Sequence, residues 1–246
     1  MRLPAILILL LASPAALAAP LTVAVASNFR STAEVIAGQF TATTGHEVRL
    51  SIASTGTLYA QVVHGAPFDV LLAADEERPL RLEEAGLGVA GSRFTYATGT
   101  LVLWSGAQDA ADCEHALQQL GDERLAIANP DTAPYGRAAK EFLTAAGLWQ
   151  TVSSRLVYGE NVAQALHFAV TGNARFALIA AAQVLDPAVP AAGCAWPVPA
   201  DLYTPIAQQA VLLRRARDNP QARLFLQYLQ NAEARATIRR SGYGVP

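Results

Sequence analysis

The spacing of apolar residues along this chain switches repeatedly between a repeat of two and a repeat near 3.6. These are the two periods that separate strands from helices. Leu21–Ala26 alternates and is rich in β-formers, which predicts a strand, and Val35, Ile36 and Phe40 then fall at helical spacing over residues 29–40. Gly45 is placed to end that helix. The cycle repeats with a strand over 48–52 and a short helix over 57–63 stopped by Gly65. It repeats again with an apolar run over 68–73 and a helix whose first turn carries Asp75, Glu76 and Glu77, where the helix dipole favours acids. Two short extended runs, 94–96 and 101–104, flank Thr98-Gly99-Thr100. Strands over 125–128, 156–158 and 176–179 then alternate with helices over 136–146 and 162–170. A Pro- and Ala-rich stretch over 186–199 reads as loop. A strand over 206–213 follows, then a helix opened by Asn219-Pro220 and a last helix over 232–240. Such alternation predicts α/β architecture, with mainly parallel sheets flanked by helices. Two lobes are expected, residues 19–99 plus 201–246 and residues 100–200, after a leader over 1–18.

Four polar turns stand where a strand pattern gives way to a helix pattern: Ala26-Ser27-Asn28, Ser54-Thr55-Gly56, Pro134-Tyr135-Gly136 and Glu160-Asn161-Val162. A helix start leaves backbone N–H groups unpaired and points the positive end of the dipole outward. Taken singly, each turn is an ordinary cap, since Ser, Thr and Asn cap helices everywhere. Taken together, they offer the Ser27 hydroxyl, the Asn28 side-chain amide, the Ser54 and Thr55 hydroxyls, and backbone donors at Tyr135 or Gly136 and at Val162. Gly56 would let a ligand approach the backbone closely. Ligands of open α/β sheets bind beyond the carboxyl ends of the strands. Two lobes facing each other there would bring all four turns into one anion socket with no cationic side chain.

Composition narrows the setting. The sequence is 52% hydrophobic and 15% charged with a net charge of −2, which describes a well-cored protein and gives no basic patch for nucleic acid. Met1-Arg2-Leu3-Pro4, an apolar run over 5–12 and Ala16-Leu17-Ala18 form the pattern of a secretory signal, with cleavage expected after Ala18. The run is short for a membrane span. The two cysteines, Cys113 and Cys194, favour a disulfide over a metal site on the oxidising compartment alone. Asp69, Asp75 and Glu76 raise the question of a cation site, but a structural Asp69 and a helix-starting Asp75 account for them more simply.

Several ordered stretches carry a family resemblance. They are Val23-Ala24-Val25-Ala26-Ser27-Asn28, residues 53–61 (ASTGTLYAQ), 64–70 (HGAPFDV) and 73–76 (AADE), residues 91–105, Ala128-Asn129-Pro130 with Ala133-Pro134-Tyr135-Gly136, and Gly242-Tyr243. In order and spacing the chain resembles the periplasmic molybdate-binding proteins of ABC transporters over almost its whole mature length. The resemblance implies a two-lobed type II periplasmic binding protein with two chain crossings. It also implies a molybdate or tungstate oxyanion held with no direct protein ligand to the metal and no further cofactor. The ligand donors it implies are Ser27, Asn28, Thr55, Tyr135 and Val162, with Ser54 as second choice. The partner it implies is a membrane permease, and the protein is expected to be a monomer. One place departs from the pattern: some members supply a tyrosine hydroxyl where this chain has Ala180 and Ala181.

Two other readings stay open on sequence. The same fold could hold sulfate, phosphate or another oxyanion. An exported hydrolase would need Ser27 or Ser54 paired with His64 or His167, yet the chain has no Gly-x-Ser-x-Gly elbow and none of the four turns contains histidine. A binding protein and not an enzyme is the expectation.

Overall fold

The computed structural model describes residues 19–110, 112–191 and 193–246, so the leader read in residues 1–18 lies outside them. Strand β1 (Leu21–Ala26) runs through one 3-10 turn, Ser27–Phe29, into α1 (Arg30–Thr44), which Gly45 ends with φ of 74°. Then come β2 (Val48–Ala53), α2 (Thr55–Val63), β3 (Val70–Leu72), α3 (Glu77–Glu84) and β4 (Phe94–Gly99). The second run holds β5 (Leu101–Ser105), α4 (Cys113–Gln118), β6 (Leu125–Ala128), α5 (Pro134–Ala145), α6 (Trp149–Val152), β7 (Leu156–Gly159), α7 (Val162–Val170), β8 (Phe176–Ala180), α8 (Ala181–Val184) and β9 (Cys194–Pro197). The chain finishes with β10 (Ile206–Leu212), α9 (Pro220–Leu229) and α10 (Ala232–Arg240).

Two five-stranded sheets result, ordered β2-β1-β3-β10-β4 and β7-β6-β8-β5-β9. Both follow one plan. Three parallel strands stand side by side, and the fourth place is taken by a strand, β10 or β5, that runs antiparallel to both neighbours. The chain passes from the first sheet to the second at Thr100, between β4 and β5, and returns over 198–205, between β9 and β10. In each mixed sheet four of the five strands point the same way, as the alternation predicts, while two of its four pairings are antiparallel.

Packing fixes the strand ends that matter. On one face of the first sheet, α1, α9 and α10 bury Phe29, Ile36, Phe40, Phe225 and Ile238. Phe40 meets Phe225 and Tyr228 edge to face, with centroids 5.3 and 5.5 Å away. Each such side chain contributes about 1.5–3 kcal/mol on burial. On the other face Leu58, Val62 and Leu82 from α2 and α3 cover Leu71 and Val211. The second sheet packs Trp104, Leu117, Phe142, Val152, Leu166 and Phe176 into a single cluster.

Four elements depart from the sequence reading, the single-turn helices α6 and α8 among them. Strand β9 lies inside the stretch read as loop, and α4 was not foreseen. β9 is a half-covered edge strand of four residues ending at Pro197, too short for its alternation to stand out among prolines. Helix α4 is six residues long and starts on Asp112, whose Oδ1 accepts from the His115 N–H at 3.1 Å. Cys113 and Cys194 are bonded to each other, with Cα atoms 5.6 Å apart, which ties α4 to β9.

Candidate functional site

The four polar turns each follow the carboxyl end of a parallel strand: β1, β2, β6 and β7. They meet between the two sheets. Ser27 and Asn28, Ser54 and Thr55, Pro134 and Tyr135, and Val162 all line one cavity, together with Ala26, Ala74 and Ala133. Its empty space is about 180 Å³, and the centre of a water-sized sphere has only about 10 Å³ in which to move. The hollow therefore suits one small, compact guest and no extended ligand. None of the ten lining residues is charged.

The donors differ in kind. Asn161 caps α7 with its side chain, its Oδ1 accepting from the Ala163 and Gln164 N–H groups at 3.0 and 3.2 Å. That leaves the Val162 N–H, the first of the helix, without an acceptor among the described residues. The same holds for the Tyr135 N–H behind Pro134, the first residue of α5, and for the Asn28 N–H in its 3-10 turn. Thr55 is fully buried, and its Oγ1 accepts from the Ala74 N–H at 3.0 Å, so its own proton is uncommitted. The Ser27 hydroxyl bonds to nothing among the described residues. Ser54 lines the hollow too, but its hydroxyl is engaged with Thr57, accepting from the Thr57 N–H at 3.3 Å and lying 2.7 Å from Oγ1. It serves as the α2 cap.

Three features differ from the sequence reading or were invisible to it. The Asn28 side-chain amide is not free: it donates to Gln208 Oε1 at 2.9 Å and to Tyr243 Oη at 3.1 Å. Asn28 offers the cavity its backbone N–H, and its side chain anchors the turn. Tyr243 returns a bond to the Asn28 carbonyl at 2.7 Å, and Tyr96 donates to the Ala73 carbonyl and Gln208 Oε1, both at 3.2 Å. Phe29 packs edge-on between Tyr96 and Tyr243, with centroids 4.8 and 5.3 Å away. Burial first of all pushes the Tyr96, Tyr135 and Tyr243 phenols well above their usual range, so they stay neutral beside the hollow. Second, Gly56 does not expose its backbone to the cavity's guest. Its N–H donates across the cleft to the Thr132 carbonyl at 2.8 Å. Third, Ala180 and Ala181 leave the cavity lining to others. Gln183 from α8 instead accepts from the Ala180 N–H at 3.0 Å and donates to the Val162 carbonyl at 3.3 Å, bracing the α7 start.

Charges gather outside the hollow. Asp75, next to the lining residue Ala74, is buried and paired with Arg78, and Arg137 of the other lobe approaches it at 3.6 Å. Arg137 also donates to Glu77 at 2.9 Å, and Arg78 donates to the Asp131 carbonyl at 3.1 Å. Ser31 donates to Asp186 across the opposite edge. Asp69 accepts from the Thr22 N–H at 2.8 Å and faces Arg215 at 3.6 Å, a structural role. Among the described residues no group of three or more His, Cys, Asp or Glu is placed to hold a metal ion.

The model of a family described as bacterial extracellular solute-binding protein matches residues 21–244. The molybdate-binding protein ModA of Azotobacter vinelandii is 47% identical over 232 residues, covering 94% of this chain and 92% of that protein. ModA of Rhodobacter capsulatus is 43% identical over 237 residues, covering 96% and 92%. The solved periplasmic molybdate-binding protein of A. vinelandii superposes with a TM-score of 0.87 at 40% identity, covering 92% of this chain and 99% of that one. The sulfate-binding protein SubI of Mycobacterium tuberculosis shares the fold alone, with a TM-score of 0.73 at 12% identity and coverage of 92% and 86%. On the family match and these two identities, the chain belongs to the bacterial extracellular solute-binding proteins, as a relative of the molybdate-binding ModA proteins.

Proposed function

We propose that this protein captures molybdate or tungstate between its lobes, outside the cytoplasm, and delivers it to the membrane permease of an ABC transporter. The observation that carries the reading is the small hollow lined by uncharged residues from both lobes. The first lobe receives the oxyanion on the Ser27 and Thr55 hydroxyls and the Asn28 N–H. Rotation about the crossings at Thr100 and 198–205 then brings the Tyr135 and Val162 N–H groups onto its other side. A dianion taken from water into a dry cavity loses many kcal/mol of hydration. Hydrogen bonds to a charged group return about 1.5–3 kcal/mol each. With no full counter-charge in the wall, the anion leaves once the lobes part.

The protein acts in the periplasm as a monomer and turns nothing over. Its identity near 45% to two ModA proteins supports molybdate among the oxyanions that share charge and shape. Calorimetry with molybdate, tungstate, sulfate and phosphate tests this. Tight binding of the first two, with sulfate and phosphate much weaker, is expected. Equal weak binding of all four would leave only the fold.

A further inference from the structure

Two glycines of the first lobe have no backbone reason to be glycine. Neither Gly56 nor Gly99 has a positive φ, so any residue could take their conformations. At Gly56 what excludes a side chain is backbone of the second lobe; at Gly99 it is first the second lobe's Tyr135, with Gln208 Nε2 of the first lobe 3.0 Å from the same Cβ. A Cβ on Gly56 would stand 2.7 Å from the Thr132 carbonyl oxygen and 2.9 Å from the Thr132 Cα. A Cβ on Gly99, at the end of β4 beside the crossing, would stand 2.1 Å from Tyr135 Oη and 3.0 Å from Tyr135 Cζ. Tyr135 Oη itself is buried without a hydrogen-bond partner. Thr132 and Tyr135 are the two ends of one short segment, which also carries the Tyr135 N–H into the cavity.

We infer that Gly56 and Gly99 are positioning residues for closure: together they set how deeply the 132–135 segment seats on the first lobe, and so where the Tyr135 donor stands. The inference rests on the capture-by-closure reading above. Neither glycine touches the proposed ligand, since neither lines the cavity. A methyl group at Gly56 acts as a wedge only when the lobes come together, and at Gly99 the nearest atom it would meet, Tyr135 Oη, also arrives only then. The contact at Gly56 meets backbone, which cannot swing away, and the contact at Gly99 meets the end of a rigid ring.

The test uses the full mature protein, wild type and the variants Gly56→Ala, Gly99→Ala, Tyr135→Phe and Gly99→Ala with Tyr135→Phe. Stopped-flow and calorimetry give the molybdate on-rate, off-rate and Kd, and small-angle scattering gives the contraction on saturation. Ligand-free melting temperature reports folding. Each glycine variant should melt like wild type without ligand, contract less with it, and bind about 10- to 100-fold more weakly, the cost of one overpacked methyl. The loss should appear in the off-rate. Removing Oη takes away the nearest clash, so Gly99→Ala should cost much less in the Tyr135→Phe background than in wild type. A wild type that binds and contracts beside glycine variants with unchanged Kd would overturn this inference alone. So would a Gly99→Ala loss of equal size in both backgrounds. A wild type that neither binds nor contracts would overturn the capture reading and this inference with it.

Discussion

Replacing Val162 by proline deletes one backbone donor and almost nothing else. Val162 is the first residue of α7, the position where a helix accepts proline because its N–H has no partner inside the helix. Residue 161 already has the extended conformation that proline demands of its predecessor, with φ −152° and ψ 172°. The cap is untouched, because Asn161 accepts from Ala163, Gln164 and Ala165 and not from Val162. The brace from Gln183 reaches the Val162 carbonyl, which proline keeps. What disappears is the N–H facing the hollow. A hydrogen bond to a charged acceptor is worth about 1.5–3 kcal/mol, so the molybdate Kd should rise about 10- to 150-fold. Val162→Ala trims the same buried side chain and keeps the N–H, and so controls for packing. Calorimetry on both variants, with the ligand-free melting temperature as a check on folding, measures the difference. If the proline and alanine variants bind equally well, the Val162 amide is not a donor, and the division of the socket between two lobes loses its clearest member.

Thr55→Val should raise Kd by a similar factor and also lower ligand-free stability by about 1–3 kcal/mol, because the buried Ala74 N–H loses its acceptor. Thr55→Ser should restore both, whereas a lower melting temperature with unchanged Kd would assign the hydroxyl to Ala74 alone. Arg137→Gln removes the cross-cleft pairs to Glu77 and Asp75 and should speed molybdate release only a few-fold, since partly exposed pairs are worth about 0–1 kcal/mol; a loss as large as that from Thr55→Val would place Arg137 in the socket. The Glu77 carboxyl lies below its ordinary value, chiefly through the Arg137 hydrogen bond and then the Arg81, Arg137 and Arg78 charges, against some burial. Its small contribution is therefore whole above the ordinary glutamate range and drains away as pH falls through the lowered value, so the Arg137→Gln effect on release should vanish in acid and stay constant from neutral pH upward. Reducing the Cys113–Cys194 bond, 81 residues apart in sequence, should cost about 4.5 kcal/mol in the chain-entropy model and lower the melting temperature by roughly 9–18 °C. Neither cysteine lines the cavity, so affinity below the transition should not change.

Sequence patterning reached the strands and helices well because most are long enough to show their period. β1, β6 and α7 begin where the alternation places them. It failed for β9, which lies among prolines at a half-covered sheet edge, and for the short helices α4, α6 and α8, of six, four and four residues. The turns were legible as caps, and the resemblance grouped them. Sequence could not reveal which cap atoms are already engaged. Ser54 and Asn28 look like free donors on paper, yet Ser54 is engaged with Thr57 and Asn28 with Gln208 and Tyr243. The partners that decide this come from as far as 215 residues along the chain. Gly56 was legible as a place of close approach, but only the packed lobes show that Thr132 is what approaches.

On the capture reading, the separation of charge from donors explains how the proposed site would hold and release its anion. An arginine in the socket would attract the dianion before closure and keep attracting it after opening, because Coulomb attraction extends far beyond contact in a dry cleft. Amide and hydroxyl donors act only at contact distance. Splitting them between lobes would make the hold conditional on closure: under the proposed function an open protein keeps Ser27, Asn28 and Thr55 and gives up Tyr135 and Val162 together. The full charges sit at the rim, where Arg78 and Arg137 neutralise Asp75 and Glu77. Pairing there favours the shut form without touching the ligand, and water screens it as soon as the cleft parts. A partner that pulls the lobes open thus needs to overcome only a weak rim and two short-range donors, and the anion then meets a surface with no net charge to detain it.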